Sequence, residues 1–294
     1  MLKRIAAVLS AILLVLAVYF VWARPYQLRW GATDSEVLRA MPGDSLDLHP
    51  TFLATRAITI DTSPEAIWPW LVQMGFNRAG FYGYDIIEGI GNTRSFTSAD
   101  SIIPELQHPK VGDAVPISLA AQTQFSEIDP YRVLIWAEGI NGEHNGGFIW
   151  ALYPINRNHT RLVSRIRWSH HWRSPWLLSL ELLTEFTDHL ALRKILPGIK
   201  VRAENKKIPT MAIQTIEFFF YFAAALIFLY SILFALIKPL TRRTYLLVLA
   251  AGAMWLIIWY SPLWIGAGAI LELSFIGYCI KSRTPKTGHH RSQS

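Results

Sequence analysis

The sequence predicts an α+β domain, a curved antiparallel sheet around one long C-terminal helix, flanked by about four transmembrane helices. Three observations predict this. The central stretch runs strand, helix, short helix, several strands, long helix, an order that suits a sheet packed on helices. Its strand segments alternate apolar and polar residues with the period of two expected of half-buried antiparallel strands. The long uncharged runs lie at the two ends of the chain, where they raise hydrophobic content to 52% and mean hydropathy to +0.26.

The stretch Thr55 to Asp85 organises the domain. TRAITID at its start places Ile58 and Ile60 on one face of a strand. Ser63 then suits a helix N-cap, Pro64 the first helical position, and Glu65 the positive end of the helix dipole. That helix carries Ile67, Trp68, Leu71, Val72 and Met74 and ends at Gly75, with Pro69 in its early turns where a missing donor costs least. An aromatic loop follows at Phe76, Phe81, Tyr82 and Tyr84, then a short helix to Ile90. Strands are expected at Ala114 to Ser118, Thr123 to Ile128, Arg132 to Glu138, Gly147 to Tyr153 and Thr160 to Trp168. The glycine-rich segment Gly139 to Gly147 is expected as a loop able to cover a pocket. The long helix Leu177 to Leu196 is expected to bury Leu182, Leu183, Phe186 and Leu190, with Glu181, Glu185 and Asp188 opposite and Pro197-Gly198 interrupting it. Arg24 to Thr51 is an extended, turn-rich lead-in.

Four segments are long and apolar enough to be expected in a membrane: Ile5 to Ala23, Ile216 to Ile237, Tyr245 to Tyr260 and Leu263 to Ile280. The chain then divides into an N-terminal anchor at residues 1–23, a domain at 24–210, a three-helix membrane region at 211–281 and a basic tail at 282–294. The first run is too long for the core of a signal peptide and is followed by VWARPYQ, so it is expected to stay as an anchor. Lys3 and Arg4, Lys238, Arg242 and Arg243, and the basic tail all fall on one side of four spans. The positive-inside rule makes that side cytoplasmic and the domain extracytoplasmic, on a bacterial plasma membrane, although Arg24, Arg29, Lys200, Arg202, Lys206 and Lys207 flank the opposite side.

Charge and cysteine use narrow the function. The net charge of +7 comes from the ends, because residues 24–210 hold equal numbers of basic and acidic side chains. No basic stripe is interleaved with stacking aromatics, so no nucleic-acid partner is expected. The single Cys279 allows no intramolecular disulfide and no cysteine metal site. No nucleophile elbow or phosphate loop occurs, and neither cofactor nor metal is expected.

Several motifs together resemble the SRPBCC superfamily, the START-like helix-grip domains, and in particular bacterial polyketide cyclase/dehydrase-like proteins. They are RWGATD (Arg29 to Asp34), SPEAIWPWLVQMG (Ser63 to Gly75), GFYGYD (Gly80 to Asp85), SADSIIPELQ (Ser98 to Gln107), VGD (Val111 to Asp113) and GIKVRAE (Gly198 to Glu204). The resemblance implies a deep, mostly apolar cavity between sheet and long helix. It does not imply one reaction, since members bind lipids, sterols, polyketides or hormones and only some are enzymes. In a helix grip the pocket would be lined by Trp68, Phe81, Tyr82, Trp136, Phe148, Trp150, Trp168 and Phe186, with Glu138 and His189 as polar groups.

Two functional classes follow: a membrane-anchored binder of an apolar or amphipathic small molecule, and a cyclase, dehydrase or hydrolase acting on one. The enzyme needs an ionisable group in the cavity, for which Glu138, His144, Arg165 and His189 are the candidates; the binder needs only apolar lining and one or two orienting groups. His170, His171, Glu185 and His189 are weak metal-ligand candidates, because adjacent histidines in a strand point to opposite faces. Asp85 and Glu88 are more simply capping residues paired with Arg78 or Arg94 than an acid-base pair, and Glu272 stands out as a carboxylate in the fourth apolar segment.

Overall fold

The computed structural model describes residue 13 and residues 17–140, 143–169 and 178–237. The chain forms two units, Ile12–Gln214 and a second made of Met1–Ala11 with Thr215–Ser294.

The larger unit is built on a six-stranded antiparallel sheet. Its strands are β1 (Phe52–Ile60), β2 (Ala114–Pro116), β3 (Gln122–Asp129), β4 (Val133–Ile140), β5 (Glu143–Asn156) and β6 (His159–Trp168). The order β1-β6-β5-β4-β3-β2 is a meander from β2 to β6 onto whose last strand β1 is added. Register then sorts side chains between two faces. Arg56, Ser164, Trp150 and Leu134 form one row across the inner face, and Ala54, Ile166, Phe148, Trp136 and Phe125 the next. Val163, Arg165 and Arg167 point the other way.

Helices α1 (Arg24–Leu28), α2 (Asp34–Leu38), α3 (Pro64–Gln73), α4 (Asp85–Glu88) and α5 (Leu178–Ala203) complete the unit. The inner face packs against α3 and α5: Trp70, Leu71, Leu192, Ile195, Leu196 and Ile199 share a core with Leu134, Trp136, Trp150 and Leu162. The outer face is covered too. The lead-in lays Met41 and Leu46 over Val133, Ile135, Ile149, Ala151 and Val163. Arg165 fixes it there. Its guanidinium donates to the carbonyls of Glu36 (2.8 Å), Val37 (3.1 Å) and Arg39 (2.9 Å), to Asp44 Oδ2 (2.8 Å) and to Thr55 Oγ1 (2.9 Å). The lead-in is therefore a structural layer, and Arg165 is excluded from the inner face by strand alternation.

The structure corrects several expectations. The strand expected from Thr55 begins at Phe52. Ser63 occupies the N-cap position of α3, but its side chain does not cap the backbone. The glycine-rich segment expected as a covering loop is paired strand: Gly139 opposes His144 and Ile140 opposes Glu143, after a bulge between Ala137 and Gly139. Pro197-Gly198 does not end the long helix, which continues to Ala203. The tolerance has a packing reason. A Cβ on Gly198 would lie 2.1 Å from the Tyr82 carbonyl oxygen, so the close approach of helix to loop needs glycine there.

The largest correction concerns which side of α5 is buried. The expected apolar stripe is reversed in its N-terminal half: Glu185 and His189 are fully buried, while Leu180 and Leu183 are 44% and 54% exposed. The partners of the buried residues explain the reversal. Arg24 donates to both carboxylate oxygens of Glu185, at 2.5 and 2.7 Å, and Arg56 pairs with Asp188 at 2.5 Å. Two ion pairs and a histidine hydrogen bond turn this face inward against α1 and β1, which apolar periodicity alone does not anticipate.

Among the described residues no helix is long and apolar enough to cross a membrane. The segments expected as spans at Tyr245 to Tyr260 and Leu263 to Ile280 lie outside the described residues, with Glu272, as does most of Ile5 to Ala23. The segment Ile216 to Ile237 falls within α6 (Met211–Ile237), where Phe219, Phe222, Leu226, Leu229, Tyr230 and Leu233 are exposed.

Candidate functional site

The inner face of the sheet gathers aromatic side chains because β4 and β5 place them in register. Trp136 sits opposite Phe148, and Trp150 is one row along. Ring centroids are 6.3 Å apart for Trp136 and Phe148, 5.5 Å for Trp136 and Trp150, and 5.8 Å for Phe148 and Trp168. Phe125 closes the row at 6.5 Å from Trp136. These separations are those of favourable edge and tilted packing.

Two polar atoms break the apolar character of this row. Trp136 and Trp150 are 1% and 2% exposed, and the indole N–H of each is buried without a hydrogen-bond acceptor. A buried donor left unpaired costs about 1–3 kcal/mol, so buried tryptophans normally find an acceptor. Two neighbouring indoles in one row with the same unmet need make this face receptive to a molecule that brings an acceptor among apolar atoms.

A second, ionic cluster lies along the β1 side of the inner face, where α1 and α5 meet the sheet. Arg56 is 1% exposed; its Nε donates to the Gln27 carbonyl at 2.8 Å and its Nη1 to Asp188. His189 Nδ1 donates to the same carbonyl at 3.0 Å. Burial, with Arg56 and Arg193 nearby, holds the His189 imidazole down at about 2, so it is neutral throughout the physiological range. Glu185 is taken up by Arg24, which leaves it no role as a metal ligand beside His189. Among the described residues no group of three or more histidines, cysteines or carboxylates could hold a metal ion. His144, His170 and His171 have side chains outside the described residues.

The residues expected to line a pocket therefore separate into groups. Trp136, Phe148, Trp150 and Trp168 come together. Trp68 is core, with its ring 5.9 Å from Tyr131. Phe81 packs partly buried against the same core, whereas Glu138 and Phe186 are half-buried at β4 and α5. His189 belongs to the ionic cluster. Tyr82 is a structural pin. Its hydroxyl donates to the Trp70 carbonyl at 3.0 Å and accepts from Gln73 at 3.1 Å, and the Arg202 guanidinium lies 4.4 Å over its ring. These contacts hold its backbone at φ 66°, a left-handed conformation costly for a bulky residue.

Asp85 and Glu88 do not pair with Arg78 or Arg94 as expected. Asp85 accepts from the Ser98 N–H at 2.8 Å and from Gln214 at 3.3 Å. Glu88 accepts from the Gly83 N–H at 3.2 Å. Burial pushes the Glu88 carboxyl up to about 7, with Asp85 adding to the rise and loop N–H groups opposing it. Arg78 instead caps the end of α3 through the Val72 and Met74 carbonyls.

Sequence reasoning missed Arg56, Asp188 and Arg193. The signal for Arg56 was present, because it alternates with Ile58 and Ile60 and so shares their buried face.

No protein-family model matches the chain, and no curated protein matches it. Matching solved structures include an aromatase/cyclase from a Streptomyces species, at 13% identity over 51% of this chain and 94% of that one, with a TM-score of 0.30. A polyketide-cyclase-like protein from Corynebacterium glutamicum matches at 12% identity over 54% of this chain and 97% of that one, TM-score 0.27. The Aha1 dimer from Colwellia psychrerythraea matches at 11% identity over 50% and 98%, TM-score 0.24. The strand order and the long C-terminal helix against the inner face decide the architecture. The fold is a START-like helix grip. The helix grip of this chain carries its ionic cluster under the N-terminal half of α5 and its aromatic row on β4 and β5.

Proposed function

We propose that the helix grip binds an apolar or amphipathic small molecule against its inner face, and that it does so at a membrane. The observation that carries the binding reading is the pair of buried, unpaired indole N–H groups of Trp136 and Trp150. An apolar body against Phe125, Phe148 and Trp168 would bury surface at roughly 25 cal/mol per Å², and an acceptor on it would satisfy the indoles. Binding is favoured over catalysis because the polar groups nearest this face are already committed: His189 is neutral and bonded to Gln27, and Arg56 is tied to Asp188.

The membrane reading rests on an inverted pattern. Arg24, Arg56, Glu185, Asp188 and His189 face inward, while Phe20, Val21, Trp22, Leu180 and Leu183 face outward. In water that arrangement wastes apolar surface; beside lipid it is the ordinary one, with ionisable groups paired inside. The apolar run Ile216 to Ile237 carries a single charge at Glu217 and supports the same reading. We place the domain on the extracytoplasmic side from the basic residues that flank the apolar runs.

The test is native mass spectrometry of the full chain released from detergent micelles, with organic extraction of whatever it carries. A one-to-one apolar adduct that is weakened in Trp150→Phe supports the reading. A bare protein that also takes up neither decanol nor decanoate on titration overturns it.

A further inference from the structure

We infer that the ligand is an anion, and that the Arg193 guanidinium, beside Arg56, receives its carboxylate or phosphate headgroup at the edge of the aromatic row. This rests on the binding reading above and adds the ligand's charge to it.

Arg193 is 8% exposed, and both Nη1 and Nη2 are buried without a hydrogen-bond partner. Its guanidinium lies 5.8 Å from the centroid of the Trp30 ring, a position that leaves the N–H edges uncommitted. Trp30 packs against the same core cluster that holds Trp136 and Trp150. A buried guanidinium is costly unless paired, and its fork of donors matches a carboxylate or phosphate. Nearby charges do not meet that need. Glu185 is taken by Arg24 and Asp188 by Arg56, so each acid of the cluster already has its base.

Arg56 reinforces the site. Its Nη2 is also buried and unpartnered, although Nε and Nη1 are engaged. Register puts Arg56 opposite Ser164 and Ser164 opposite Trp150, so Arg56 and Trp150 are two strands apart on the inner face. Strand spacing makes that separation roughly 10 Å between backbones. A molecule with an anionic head, an acceptor near the head and an apolar body would meet the guanidinium fork first, the indole N–H groups next and the aromatic row beyond. The neutral state of His189 belongs to the same picture, since two cations beside it disfavour a third.

The anion has two chemical sources, a carboxylic acid or a phosphate monoester, and three probes of one chain length separate them: decanoate, decyl phosphate and decanol. Full-length protein is titrated with each and read by native mass spectrometry after micelle release. Wild type should bind one of the two anions at least about tenfold more tightly than decanol, the scale of a charge-assisted fork. Arg193→Gln should lose that preference while holding decanol within about twofold, and Arg193→Lys should keep part of it. A preference for decyl phosphate assigns the head as phosphate, and one for decanoate as carboxylate. Wild type that binds decanol and both anions alike overturns the inference and leaves the binding reading standing. Wild type that binds none of the three overturns both. If Arg193→Gln does not fold, as judged by its thermal transition, the wild-type ratio and Arg193→Lys decide: a Lys variant with an unchanged anion-to-decanol ratio refutes the role of the fork.

Discussion

Replacing Arg165 with methionine should detach the lead-in from the outer face of the sheet. The arginine is 3% exposed and holds three backbone carbonyls, a hydroxyl and the Asp44 carboxylate. Methionine matches its length and is apolar, so it fills part of the volume but satisfies none of those acceptors. Asp44 has a side chain 26% exposed and can recover water; the carbonyls of Glu36, Val37 and Arg39 recover less. Breaking a buried charged network from one side costs about 3–5 kcal/mol. At roughly 2–4 °C per kcal/mol for a domain of this size, Tm should fall by roughly 6–20 °C. The assay is thermal unfolding of the full chain in a mild detergent, with limited proteolysis alongside. New cleavage should appear between Leu38 and Leu48, which are exposed on either side of the clamp. A double-mutant cycle with Asp44→Asn should return a coupling of about 1–3 kcal/mol. A Tm within about 2 °C of wild type, with an unchanged digestion pattern, would refute the claim that Arg165 fastens this layer.

Two further outcomes follow from single positions. Glu88 is pushed up from 4.5 to about 7 in the fold, so the native state binds the extra proton between those values and stability falls as pH rises through that window. Glu88→Gln should remove this fall; equal slopes of Tm against pH for wild type and variant between pH 4.5 and 7 would count against a buried acid. Gly31 sits at φ 73°, and a Cβ there would lie 2.2 Å from the Ala57 carbonyl oxygen. Gly31→Ala should therefore cost about 2–3 kcal/mol in denaturant unfolding, and a neutral effect would show that this close approach to β1 is not needed.

Much of the sheet was legible because alternation and turn residues are local signals. The strands of the β5-β6 hairpin, and Trp136, Phe148, Trp150 and Trp168 as a group, follow from period-two spacing once the fold is a helix grip. The covering segment at Gly139 to Gly147 was misjudged because glycine marks a bulge as readily as a loop, and here the bulge lets the two strands run on. Pro197 was misjudged because the cost of a helical proline was weighed without the contact that Gly198 makes on Tyr82. The inner face of α5 was hidden for a deeper reason. Apolar periodicity assumes that the buried side is apolar, and between Leu180 and Arg193 the buried side is ionic, its partners Arg24 and Arg56 lying more than 100 residues away in sequence. The aromatic row was thus found from local pattern, while the anion-receiving edge required the long-range pairing of β1 with β6 and of α1 with α5.

The central claim is that Trp136 and Trp150 donate to a ligand held on the inner face. The most direct measurement is a proton–nitrogen correlation spectrum of the full chain labelled with nitrogen-15 in its tryptophan indoles, with the two resonances assigned from Trp136→Phe and Trp150→Phe. On saturation with whichever of decanoate or decyl phosphate binds more tightly, both indole N–H signals should move downfield, as forming hydrogen bonds do, and the other tryptophan signals should move less. A ligand that binds with full occupancy and leaves both signals in place would contradict the account.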